Sequence, residues 1–436
     1  MRKALAMALG TMLVTGSAAP ARAASQIDFS GYFRTVFANE WNQNYGTSQD
    51  KTSDSYFVNR LRLNFAFHAT DEISVYWRLH APHANRWGAS DEKRGNLNAR
   101  TMYAFGEVKQ DWGKISLGRL SDSFHYFGLA SLGWNPGGPD DVFSDWGIFD
   151  WGYEHDGLRF ANRWDNGFQL VAQFDRLGTD QMTGGDEQTN DLFILQPSYH
   201  WDGGGASLGG IFQRDHVSGS ADKPALKAFY LNPALAHTWD NGFGVHFEGK
   251  FGWGSQEEPG GTKDKSKGYG LYLDLDYNYG PGNVNLAGWW VSGTGENDGN
   301  SQSLVDAGDA FVPLIVAYDA AWTRNKGGGA IAAANKSGGL NSGKTNHWAI
   351  DFNGRHALSD DLALKYALAY LALNETPAGR AKGIGWEADL GLAANLLDSL
   401  EFRSTFGYLF AGEALKEGNE SPADSYSWMN TLVFRF

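Results

Sequence analysis

Tyr426-Ser-Trp-Met-Asn-Thr-Leu-Val-Phe-Arg-Phe436 ends the sequence, and the fold turns on how this stretch is read. Phe436, Phe434, Leu432, Trp428 and Tyr426 recur at every second position, with Asn430 the one polar residue among them. Ser425, Ser427, Thr431 and Arg435 take the alternate positions, together with Met429 and Val433. A two-residue period belongs to a β-strand, whose successive side chains leave opposite faces of the pleat. One aromatic-rich face and one largely polar face suit the closing strand of a membrane barrel. An amphipathic strand of a soluble sandwich alternates in the same way. The stretch alone leaves both open.

The other end of the chain shifts the balance. Arg2 and Lys3, the short apolar run Ala4 to Gly16 and the small-residue triplet Ala21-Arg22-Ala23 read as a secretory signal over 1–23. That run is too short to span a bilayer as a helix, and no longer apolar run follows it. The remainder, 24–436, reads as one domain. Hydrophobic content of 42% and mean hydropathy of −0.41 look like a soluble protein. A membrane barrel has the same averages, because only every second strand residue faces lipid. Aromatics at 14% and 56 glycines fit interfacial girdles and tight turns. The absence of cysteine excludes disulfides, c-type haem attachment and thiolate metal sites in this chain. Without Arg2, Lys3 and Arg22 the charge is −17, which disfavours nucleic acid. It is compatible with acidic surface loops that bind divalent cations among lipopolysaccharide phosphates, although excess charge more often serves solvation.

From Ile27 onward, segments of about ten residues alternate between turn clusters. Phe57, Leu61, Leu63, Phe65 and Phe67 oppose Arg60, Arg62, Asn64 and His68. Phe243, Val245, Phe247, Phe251 and Trp253 oppose His246, Glu248 and Lys250, and Tyr269, Leu271, Leu273 and Leu275 oppose Asp274 and Asp276. The count predicts an all-β transmembrane antiparallel barrel of about 16–18 strands. Charged residues recur at mid-strand on the non-greasy face, which suits a water-filled lumen rather than a packed core. At this size side chains cannot fill the interior, so an aqueous channel is left. Gln43 to Ser55, Asp180 to Thr189, Gln256 to Lys267 and Ser292 to Thr345 read as loops; within the last, Phe311 to Trp322 is a strand, a helix or a packed lid.

An insertion over 121–153 lies between the fifth and sixth strands. It carries Asp122, Asp140, Asp141, Asp145 and Asp150 among Trp134, Phe143, Trp146, Phe149 and Trp151, with a Pro136-Gly137-Gly138-Pro139 bend. It is too apolar for solvent and too acidic for lipid, so it is expected to fold into the lumen. Here the chain resembles the trimeric porins of Gram-negative outer membranes, both general diffusion and maltoporin-like. Arg100-Thr-Met-Tyr-Ala-Phe-Gly106-Glu-Val-Lys followed by Trp112-Gly113-Lys-Ile-Ser-Leu-Gly118-Arg119 is similar to the strand pair before their constriction loop. Pro136-Gly137-Gly138 resembles that loop's tip, Asn59-Arg60-Leu61 the second-strand arginine motif, and Ile27-Asp-Phe-Ser-Gly-Tyr-Phe-Arg34 the opening strand. The resemblance is clearest over roughly the first 175 residues. It implies that Arg60 and Arg100 belong to a basic ladder facing the loop acids. Arg62, Arg78, Arg159 and Arg163 share that inward parity and are expected to extend it. The family's third wall arginine has no clear match, and its loop glutamate falls near Asn135, so the acids are displaced to Asp140 and Asp141.

Opposed fixed charges across a narrow pore set a transverse field that admits small hydrophilic solutes and penalises apolar ones. The expected function is passive diffusion of such solutes and ions through the outer membrane, without enzymatic activity or cofactor. Expected partners are outer-membrane lipid and lipopolysaccharide, small hydrophilic solutes and, from the resemblance, two further copies in a homotrimer. A sugar-selective channel needs lumenal aromatics, for which Tyr76, Tyr126 and the insertion's tryptophans are candidates. A sheath around a periplasmic or multihaem partner is a further alternative. A hydrolase is disfavoured by scattered histidines and the lack of a serine elbow or H-E-x-x-H motif.

Overall fold

The computed structural model describes residues 26–42, 53–81, 86–87, 100–120, 155–181, 187–216, 225–257, 263–294, 300–303, 316, 329–338, 345–416 and 422–436. The expected signal and the insertion 121–153 lie outside them. Among the described residues, eighteen long strands form the wall: β1 Gln26–Trp41, β2 Ser53–His68, β3 Ile73–Ala81, β4 Arg100–Gln110, β5 Gly113–Leu120 and β6 His155–Arg163. There follow β7 Phe168–Gln181, β8 Glu187–Trp201, β9 Gly204–His216, β10 Ala225–Thr238, β11 Phe243–Glu257 and β12 Lys263–Asn278. The last six are β13 Gly282–Val291, β14 His347–Ala357, β15 Leu362–Leu373, β16 Gly383–Leu397, β17 Leu400–Ala411 and β18 Ser425–Arg435. Short ribbons at Arg86–Trp87 and Asn300–Ser303 pair beside β2 and β12.

Each strand pairs antiparallel with the next, and β18 pairs back onto β1, with Phe33 opposite Phe434 and Thr35 opposite Leu432. Reciprocal bonds between Gly31 and Phe436, 2.9 and 3.1 Å, complete the seam. The sheet closes, so no strand edge is left unpaired. Connections after even-numbered strands are short, such as 69–72, 111–112, 202–203 and 398–399; those after odd-numbered strands are longer. One end of the barrel is therefore all tight turns and the other all loops.

Two of the expected loops are strand over the residues described in them. Thr179 pairs with Thr189 and Asp180 with Gln188, and Gln256 pairs with Asp264. These hairpins run past the hydrocarbon level, where both faces meet water and the alternation that marks a strand is no longer required. Likewise β2 begins at Ser53, two residues before the expected loop ends.

The outward face carries the large apolar side chains. Phe229, Leu273, Leu286, Ile350, Leu368 and Leu390 are all well exposed. Such a continuous apolar surface matches hydrocarbon. Aromatic pairs edge it at both levels: Trp41 on Tyr426, Tyr269 on Trp290 and Tyr370 on Trp386 towards the loops, and Trp164 on Phe168 and Trp239 on Phe243 towards the turns. Tryptophan and tyrosine favour the interfaces because their rings are amphipathic.

The inward face is mostly polar, with one apolar region. Here the 292–346 connection departs from a plain loop. The helix α1, Gly329–Gly338, places Ala330, Ile331 and Ala334 in one buried cluster with Leu371 and Leu373 of β15, Leu409 of β17, and Val316. Asn335 Nδ2 donates to the Thr345 carbonyl at 2.7 Å, and Asn346 Nδ2 donates to Asn335 Oδ1 at 3.1 Å. The run Ala330-Ile-Ala-Ala-Ala334 favours a helix, but it is too short to show a sustained 3.6-residue period. Of 311–322, the stretch with three possible readings, Val316 alone is described.

Candidate functional site

Strand register assembles the lumenal charges into two sectors. Arg34 on β1 lies opposite Arg60 on β2, and the next row runs Tyr32, Arg62, His80 and Arg100 across β1 to β4. Arg78 on β3 follows one row further, opposite Asn64, whose Oδ1 accepts from its Nε at 2.5 Å. The Arg78 guanidinium lies over the Tyr103 ring, 4.8 Å from its centroid. Arg34 and Arg62 are buried despite their charge. Beyond the seam, Arg403 on β17 and Arg435 on β18 both bond to the Glu401 carboxylate. Among the described wall residues, β1 to β4 with β17 and β18 thus form a predominantly basic sector.

Acidic side chains gather on β11, β12, β14 and β16, the first two of which stand directly across from β2 and β3. Counting round the ring, β11 to β14 stand across from β2 to β5. One row reads Asp274, Ala287, Asp351, Ala369, Glu387 from β12 to β16, an acid on every second strand. The row below it reads Asp276, Asn285, Asn353, Ala367, Asp389, and Glu248 lies on β11 beside Tyr272. The interposed alanines leave each carboxylate uncrowded. All six acids are buried within the barrel, so each needs compensation. Tyr272 donates to Asp274 at 3.0 Å and Asn353 to Asp351 at 2.6 Å, while the Val316 amide donates to Glu387 at 2.7 Å. Asn285 donates in turn to Asn353 at 2.9 Å, extending the chain of amides that ends on Asp351.

The residues expected from the sequence fall into three groups. The register brings Arg60, Arg62, Arg78 and Arg100 together on neighbouring strands. Arg159 and Arg163 lie inward on β6, a different sector, where Arg159 donates to Gln173 at 2.6 Å and Arg163 sits exposed at the turn end. Asp122, Asp140, Asp141, Asp145 and Asp150 lie outside the described residues. The sequence reading missed the acidic row and the basic members Arg34 and Arg403. Its own alternation already put Asp274, Asp276 and Glu248 on the polar face. What it lacked was the strand order that sets them across from the arginines. Among the described residues no cluster of His, Asp or Glu is arranged to hold a metal ion.

A closed antiparallel barrel of eighteen strands with a charged interior defines a class of fold found in outer membranes. No protein-family model matches the sequence, and no curated protein matches it. Solved structures do. The outer membrane protein OprD of Pseudomonas aeruginosa superposes with a TM-score of 0.51 at 12% identity, covering 94% of this chain and 93% of that one. OccK3 (OpdO) of the same organism gives 0.53 at 10% identity, covering 94% and 96%. The outer membrane protein opdK, also from Pseudomonas aeruginosa, gives 0.52 at 11%, covering 94% and 99%. At these identities the likeness is one of fold.

Proposed function

We propose that this protein is an outer-membrane porin, through which small hydrophilic solutes and ions diffuse passively. One observation carries the reading: within a closed eighteen-stranded wall, the basic residues of β2 to β4 stand across from the acids of β11 and β12, with Asp351 on β14 beside them. Such a pair sets a field across the lumen that orders water and dipolar solutes, so an apolar solute that cannot replace that water is held back. In this reading Arg60, Arg62, Arg78 and Arg100 form the basic wall of the constriction. The insertion 121–153 narrows the lumen with Asp122, Asp140, Asp141, Asp145 and Asp150, while Arg159 and Arg163 line the turn end. The protein works as a homotrimer, embedded among outer-membrane lipid and lipopolysaccharide.

Single-channel recording in planar bilayers tests this directly. Ohmic conductance closing in three equal steps is expected, and a protein that inserts without conducting would remove the reading. Asn in place of both Asp140 and Asp141 is expected to shift the reversal potential towards anions; an unshifted potential would take those residues out of the constriction. Liposome swelling with sugars of graded size addresses selectivity, with linear uptake expected of a diffusion pore. Saturable uptake would instead indicate a maltoporin-like slide, for which Tyr76, inward on β3 and stacked 5.1 Å from Phe105, is the described aromatic candidate.

A further inference from the structure

The outer wall carries a cationic patch where its strands reach the loop end. Arg214 on β9 and Lys227 on β10 are register partners. Lys227 is opposite Ser255, which is opposite Lys265 on β12, and Lys267 lies one row lower, opposite Trp253. All four share the outward parity of Phe212, Phe229, Trp253 and Tyr269, and all four are exposed. They make no ion pair among the described residues, whereas the adjacent Asp191 is taken by Arg176 at 2.9 Å. The one acid of that parity on β9 to β12 is Glu257, at the loop end of β11, where it stands opposite a fifth cation, Lys263. Adjacent strands are roughly 4.8 Å apart, so the four cations fall within the span of one phosphorylated headgroup.

Directly beneath lies a concavity in the same wall. A groove of about 710 Å³ is lined by Phe174, Phe193, Phe212, Leu195, Leu208 and Gly210. Its top is the row Phe193, Phe212, Phe229, one row below Asp191, Arg214 and Lys227. Its floor is open because Gly210 has no side chain; a Cβ there would meet nothing closer than 3.8 Å. Charge above and an acyl-sized apolar channel below match an amphiphile standing parallel to the barrel axis.

We propose that this face is a binding site for the phosphorylated glycolipid of the outer leaflet, lipopolysaccharide, with its phosphates on Arg214, Lys227, Lys265 and Lys267 and an acyl chain in the groove at Gly210. The proposal rests on the outer-membrane reading above, because the loop end faces the outer leaflet only in that setting. Two features select this occupant. The cations stand at headgroup depth beside the aromatic girdle, and their charge complements a polyanion rather than a zwitterionic lipid.

The test is retention of fluorescent lipopolysaccharide by purified protein in neutral detergent, with phosphatidylethanolamine as the comparison lipid. The native protein should prefer lipopolysaccharide, with an affinity that falls as salt rises. Arg214→Gln with Lys227→Gln should weaken binding roughly thirtyfold, from about fivefold per lost cation. Gly210→Leu should fill the groove and weaken it roughly tenfold. Equal retention of the two lipids, or unchanged affinity in the double variant, would overturn the proposal. So would displacement by micromolar inorganic pyrophosphate, which would mark a site for a free anion. Conductance recorded on the same preparations keeps the two readings apart: it should be normal in every variant, and its loss from the native protein would sink the pore without touching the lipid measurement.

Discussion

Arg62 shows how a single side chain acts in this lumen. It lies between Tyr32 and His80 in a row that ends on Arg100, and its guanidinium is 5.8 Å from the Tyr32 ring centroid. A unit charge about 6 Å from a permeating ion in water is worth about 0.7 kcal/mol, or roughly threefold in relative permeability. Arg60→Gln with Arg62→Gln is therefore expected to move the reversal potential towards cations by several-fold in the permeability ratio. Asp274→Asn with Asp351→Asn should move it the other way, because those acids stand in the facing sector. Bi-ionic potentials in planar bilayers check both, and shifts of the same sign would contradict the opposed-wall geometry. Gly31 tests a different contact. A Cβ there would come within 2.4 Å of the Arg62 carbonyl and 3.0 Å of the Phe436 ring. Gly31→Val is expected to open the β1–β18 seam, seen as unfolding at lower temperature in heat-modifiability gels.

At the scale of elements, α1 is the described piece that reaches into the lumen from between two wall strands. It lies inside the barrel, and Ile331 is fully buried against the inner faces of the wall strands. Truncating a buried isoleucine to alanine costs about 2–5 kcal/mol. Ile331→Ala should therefore loosen the in-folded segment, raising conductance or adding flicker to the open state in single-channel records. Glu387→Gln should act in the same direction but more weakly, since the Val316 amide then bonds to a neutral oxygen. Records indistinguishable from the native channel in both variants would mean that the segment leaves the conducting path clear.

For the whole molecule, one assignment governs all else: the apolar faces meet hydrocarbon and the charged faces meet water. The chain has no cysteine, so single introduced thiols report without background. Leu368→Cys, outward on β15, should react with a lipid-soluble maleimide and resist a membrane-impermeant one. Lys365→Cys, inward on the same strand, should show the reverse. Swapped reactivity at the two positions would turn the barrel inside out, and matching reactivity would remove the distinction between its faces. Much of this was legible in the residues themselves. Alternation in segments such as Tyr269 to Leu275 depends only on the pleat, so strand identity, the lipid and lumen faces, and the inward parity of Arg60, Arg62 and Arg78 were set locally by the sequence. Three things needed the closed sheet. The strand number became definite when β18 paired with β1. The acidic row from Asp274 to Glu387 exists only as a register across five strands, and the place of its Asp274 end opposite the arginines depends on the circumference of the ring. The helix over Gly329–Gly338 owes its place to a wall built from β15 and β17, which no local pattern around Ala330 contains. A strand's period is a property of neighbouring residues, whereas which side chains share a row or face each other across water is fixed only when the barrel closes.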